Sequence, residues 1–124
     1  RLIDIMNDCK DSKDPSSLDY QNTIARCIVR KEEESEKVKH ETRILWGDYF
    51  KKPLLDKYPE IHELCHSIML KASFCKQEID RTEAENLLKL VNRLSEIFWA
   101  SKDIKTKIAK CPYPPNEKTI YPVL

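Results

Sequence analysis

An all-α fold is what this sequence predicts: an antiparallel bundle of about four helices followed by an extended, proline-rich tail. Three observations carry that reading. First, residues 59–108 hold two apolar seams. One is Ile61, Cys65, Ile68, Ala72, Cys75 and Ile79; the other is Leu87, Leu90, Val91, Leu94, Ile97, Phe98, Ile104 and Ile108. Alternating three- and four-residue spacing places each set on one side of a helix, and neither can remain in water. Second, the chain has a single glycine, Gly47, in 124 residues, whereas hairpin-rich β folds rely on glycine in their turns. Third, 40% of the residues are apolar and 35% charged, which suits a small bundle with solvated outer faces. The expected division is a helical bundle over 1–111 and a tail over 112–124, packed on the bundle or on a partner.

Taken in order, residues 1–10 read as a short helix with Leu2, Ile3, Ile5, Met6 and Cys9 inward. At that length it must be held by packing. Residues 11–17 form a loop, and Ser16 or Ser17 can cap the next helix by accepting a backbone N–H bond. The longest helix is expected over about 18–52, with a seam of Ile24, Ile28, Lys31, Ser35, Val38, Thr42, Leu45 and Tyr49. Its middle is polar, inside the charged run 31–40. That run reads as a solvated face, a helix projecting beyond the bundle, or a break near 31–36.

Gly47 interrupts an apolar, aromatic stretch, Ile44 to Phe50, at a cost of about 1 kcal/mol against alanine in a helix; the stretch reads as entering the core from two sides, with a partner-binding patch as the other reading. Pro53 discourages the helix before it, and Pro59 suits the first turn of the helix after it. Thr82 with Glu85 reads as a capping box for the second central helix. That helix is expected to end near Lys110, where lysines meet the negative end of the helix dipole and Pro112, Pro114 and Pro115 forbid continuation.

Charge and composition exclude more than they assign. With 22 basic and 21 acidic residues, no global field advertises a nucleic acid or an anionic membrane. One glycine rules out phosphate-cradling loops and dinucleotide fingerprints. No stretch approaches the length of a membrane span, and no signal-peptide pattern is present. The first residue is Arg1 rather than Met, which reads as an excised domain or a processed product. Five cysteines, at 9, 27, 65, 75 and 111, cannot all pair within one chain. Three of them fall on apolar seams, where cysteine acts as a small hydrophobe. This reads as a reduced, intracellular protein, cytoplasmic or nuclear.

His62, Cys65 and His66 share one helical face and invite a zinc reading. Cys75 lies roughly 15 Å further along the axis, there is no Cys-x-x-Cys pair, and Cys65 fits the core seam. No metal ligand set, cofactor or catalytic residue is therefore assigned. Carboxylate pairs such as Glu83 with Glu85 are explained by capping. Lys102, Lys105, Lys107 and Lys110 near Tyr113 offer a minor nucleic-acid candidate. The ending Tyr121-Pro-Val-Leu124 resembles the short Tyr-Pro-x-Leu motif recognised by ESCRT-associated adaptors, over four residues only.

The leading functional expectation is a non-catalytic interaction module, an adaptor or scaffold domain. It would bind a protein or peptide through an aromatic-lined helical surface. Trp46, Tyr49, Phe50 and Trp99 are the expected contact residues, since buried aromatics dominate interface energetics. Two alternatives stand beside it: a secreted, disulfide-containing four-helix signalling protein, and a nucleic-acid-binding helical domain.

Overall fold

The computed structural model describes all 124 residues. Five α-helices come first: α1 (Leu2–Ser12), α2 (Leu18–Ile44), α3 (Lys52–Lys57), α4 (Ile61–Gln77) and α5 (Arg81–Ala100). A π-helical turn, Leu45–Tyr49, extends α2, and an antiparallel hairpin of β1 (Thr106–Lys110) and β2 (Lys118–Pro122) closes the chain. The fold is mostly helical, but not purely so.

Helix boundaries follow local chemistry. The Ser17 hydroxyl accepts the Tyr20 N–H at 3.1 Å and caps α2, as the loop composition suggests. The cap of α5 lies two residues before the expected Thr82: Asp80 accepts the Glu83 N–H at 3.1 Å. An aspartate in extended conformation serves an orphan N–H as well as threonine does. Pro53 sits in the first turn of α3, while Pro59 lies in the turn ahead of α4 rather than inside it.

The helices pack in sequence as antiparallel neighbours. Lys13 pairs with Asp19 where α1 turns into α2. Lys31 of α2 meets the end of α4, and Trp46 meets its start. Glu60 pairs with Arg93, and Lys71 with Glu83, along α4 and α5. The core is Phe50, Ile61, Leu64, Cys65, Ile68, Leu94 and Ile97, with Leu87, Leu90, Val91 and Phe98 half-buried against it. The α4 seam is inward from Ile61 to Cys75, with Leu64 added. Ile79 lies past the helix end and is 50% exposed.

The charged middle of α2 departs from expectation. The helix runs unbroken through 31–36. Glu32, Glu33 and Glu36 are solvated, but Lys31, Ser35 and Thr42 are buried in the seam. The Lys31 ammonium donates to the carbonyls of Cys75 (2.8 Å) and Lys76 (2.6 Å) in the last turn of α4. These acceptors have no partner within their helix and sit at its negative dipole end. A lysine is therefore buried here as a cap on a neighbouring helix.

The C-terminal expectation also needs correction. Helix α5 stops at Ala100 rather than near Lys110. Asp103 takes a left-handed conformation (φ 58°), and the Ile104 N–H returns to the Trp99 carbonyl at 3.0 Å, a reversal that satisfies a terminal carbonyl. Residues beyond it pair in register, Lys107 with Tyr121 and Ile108 with Ile120. β-branched and aromatic residues at Thr106, Ile108, Thr119, Ile120 and Tyr121 favour strand. Asn116, also left-handed (φ 61°), turns the hairpin without glycine. Two contacts tie it to the bundle: Asn92 donates to the Lys118 carbonyl at 2.9 Å, and Arg81 bridges Glu117 to Asp4 of α1.

Candidate functional site

The aromatic residues singled out by sequence do gather at one end of the bundle, where α2 finishes, α4 starts and α5 finishes. The π-helical turn sets this up. Phe50 donates its N–H to the Leu45 carbonyl at 2.9 Å, a five-residue spacing that rotates Trp46, Tyr49 and Phe50 to different directions. Phe50 drops into the core at 2% exposure. Tyr49 packs between Phe50 and Phe98, at centroid distances of 5.0 and 5.1 Å. Trp99 stands edge-on to Phe98 at 5.1 Å.

The polar atoms of this cluster are engaged with the chain itself. Ser101 Oγ donates to the Phe98 carbonyl at 2.6 Å, so the Tyr49 hydroxyl donates to Ser101 Oγ, also at 2.6 Å. The Lys102 ammonium lies 5.3 Å from both the Tyr49 and Phe98 ring centres, a cation–π arrangement. Trp46 Nε1 donates to His62 Nδ1 at 3.0 Å. Because an indole only donates, the Nδ1 lone pair of His62 is committed to that bond.

This placement revises the expected contact set. Phe50 cannot be a surface contact, because its ring is enclosed by core residues. Trp46, Tyr49 and Trp99 are half-buried and act first as packing between α2, α4 and α5.

The histidines and cysteines are not assembled into a donor set. No group of three or more His, Cys, Asp or Glu side chains is arranged to hold a metal ion. His62 and His66 are exposed while Cys65 points into the core at 0% exposure. Burial pushes the Cys65 thiol up to about 11, and raises Cys75 as well. Both thiols are protonated at neutral pH, which disfavours them as nucleophiles.

The Cys65 shift has a measurable consequence. Its native pKa lies above the usual thiol value, so between pH 9 and 11 the unfolded chain releases a proton that the native state retains. Stability is expected to fall as pH rises through that window. Chemical denaturation across the range reads this slope. Cys65→Ala is expected to make it shallower, with Cys75 supplying part of what remains, and an unchanged slope in that variant would assign the alkaline loss to another group.

Comparison with known proteins adds what geometry alone does not. A family model described as nickel-containing superoxide dismutase matches residues 1–102. The chain is 36% identical over 77 residues to superoxide dismutase [Ni] of Streptomyces coelicolor, and 35% identical over 77 residues to that of Streptomyces seoulensis. Each match takes in 62% of this chain and 59% of the relative. The chain thus spans about three fifths of the curated relatives it matches.

Among solved structures, native nickel superoxide dismutase at 1.30 Å superposes with a TM-score of 0.69 at 29% identity, over 82% of each chain. An apo structure of nickel superoxide dismutase gives 0.69 at 29% identity, over 82% of this chain and 86% of that one.

These relatives overturn the functional expectation. A non-catalytic adaptor or scaffold, a secreted signalling bundle and a nucleic-acid-binding domain all give way to an enzyme family. The aromatic cluster carried the scaffold reading because exposed aromatics mark interfaces; here they are largely internal packing. No short motif in the sequence points to redox chemistry, and the signal is spread over a hundred residues of helical pattern. Matched from Arg1 through α5, and sharing the bundle of the solved dismutases, the chain belongs to the nickel-containing superoxide dismutase family.

Proposed function

We propose that this chain is the helical bundle of a superoxide dismutase, and that the protein containing it converts superoxide to dioxygen and hydrogen peroxide. The observation that carries the reading is the family match over residues 1–102, which takes in every helix of the bundle. In that reaction two superoxide anions and two protons give one dioxygen and one peroxide, so the catalyst must cycle between two redox states.

The metal named by the family does not fit the side chains present as a self-contained site. No three donors converge on a common point, and Cys65 lies wholly inside the core while His62 and His66 face outward. The bundle residues accordingly receive a structural role: the Trp46–His62 and Tyr49–Ser101 bonds fix the ends of α2, α4 and α5 relative to one another. The core cysteines, acting as small apolar groups, support a reducing intracellular compartment. No helix is long and apolar enough to cross a membrane.

The test is to purify the protein expressed from its complete gene in nickel-supplemented medium. Bound metal is quantified, and superoxide decay is followed by stopped flow. Superoxide loss that tracks nickel content is expected. A folded, helical protein that takes up nickel and leaves superoxide decay at its spontaneous rate would overturn the proposal.

A further inference from the structure

The hairpin lies outside the family match, which ends at residue 102, and its surface differs in kind from the bundle. From 102 to 124 there are five lysines against two acids, Asp103 and Glu117. Glu117 is taken up by Arg81, and Lys102 lies over the aromatic rings of Tyr49 and Phe98. Lys105, Lys107, Lys110 and Lys118 form no ion pair. The whole chain has 22 basic and 21 acidic residues, so the positive excess is local to this element.

The register sharpens the point. Lys110 stands directly opposite Lys118, and Ile108 opposite Ile120. Directly paired residues share a face of the ribbon. On the other face Ala109, Thr119 and Tyr121 are half-buried, and Lys107 is exposed. On the outward face, Ile108 is 63% exposed in mid-strand, beside Lys110 and Lys118, a directly opposed like-charged pair. Tyr113, in the hairpin turn, is 70% exposed.

We propose that the outward face of this hairpin docks on an anionic lipid surface. Like-charged lysines flanking an exposed aliphatic side chain match both parts of such an interface. The lysines meet the negative surface potential, and Ile108 enters the boundary between headgroups and acyl chains. Ile108 offers a base no ring to stack on, and the exposed Tyr113 lies in the hairpin turn, beyond the paired strands. The proposal is independent of the superoxide reading, because it concerns only the element that the family match leaves out.

The test is co-sedimentation of the full chain with phosphatidylcholine vesicles, with and without phosphatidylserine, at low and high salt. Binding is expected only with phosphatidylserine, and is expected to be lost at high salt. Lys110→Gln with Lys118→Gln should weaken it by roughly tenfold or more. Ile108→Asp should abolish it, with helical circular dichroism unchanged in both variants. No binding to phosphatidylserine vesicles, binding equal in all three proteins, or preference for a single-stranded oligonucleotide over the vesicles would each overturn the proposal.

Discussion

Phe50→Ala is expected to cost about 3–5 kcal/mol of folding stability, the range for removing a fully buried aromatic ring. The reason lies in where the ring sits. Phe50 is the first residue after the π-helical turn, and its side chain enters the cluster of Ile61, Leu64, Cys65, Ile68, Leu94 and Ile97. It therefore joins the end of α2 to the start of α4 and the second half of α5. Those side chains are held by helices on either side and can collapse into the vacated space only in part. A domain of this size has a total stability of roughly 5–15 kcal/mol, so the variant stands near the edge of folding. Urea denaturation followed by circular dichroism measures the effect. Trp46→Phe is the contrasting case: the ring stays, and one partly solvated bond to His62 is lost, at about 0.5–1.5 kcal/mol. If Phe50→Ala proved no more costly than Trp46→Phe, the core assignment at the π-turn would be wrong.

Phe50 also shows what a sequence can and cannot disclose about this chain. The seams of α4 and α5 were legible because a helix repeats its buried face at fixed spacing, and Ile61 to Cys75 and Leu87 to Phe98 obey that spacing. Phe50 reads from the sequence both as core and, within the aromatic cluster, as a contact residue, because a π-turn advances the chain by an extra residue, which no apolar periodicity reveals. Ile104 and Ile108 misled for the opposite reason. A separation of four continues a helix seam, yet it fits a strand equally well over so few residues. The deciding fact, pairing of Ile108 with Ile120, is long-range and leaves no local mark. Asn116 turns the hairpin and Asp103 ends α5, both in left-handed conformations, so the scarcity of glycine, a sound argument against a β fold, did not exclude one small ribbon. The redox assignment was not legible at all. These residues assemble no donor set, and the family match runs over residues 1–102, where no motif reads as redox chemistry.

Lys31 is the position where the sequence offered the wrong intuition and the structure supplies the sharpest energetic test. A lysine in a helix seam reads as solvated, yet this one is 6% exposed. Its ammonium bonds two carbonyls at the end of α4. Two effects compete when it becomes Lys31→Met. Removing a buried charge relieves desolvation, and replacing both partners of a buried ion pair by apolar groups is often neutral or stabilising. Here, however, the partners are backbone carbonyls, which no side-chain substitution removes. The Cys75 carbonyl would remain buried and unpaired, at about 1–3 kcal/mol, the part-buried Lys76 carbonyl would lose its partner as well, and the favourable contact of a cation with the helix C-terminus is lost too. The second effect wins, and Lys31→Met is expected to destabilise the fold by about 2–3 kcal/mol. Lys31→Ala should cost about 1 kcal/mol more, for the apolar stem that no longer fills the gap between α2 and α4. Hydrogen exchange adds a readout specific to capping. In Lys31→Met, the amides of the last turn of α4 should lose protection well beyond those near Ile61, since fraying begins at the uncapped end. A stabilised Lys31→Met, or protection lost evenly along α4, would show that Lys31 fills space in the seam and does not hold the end of its neighbour.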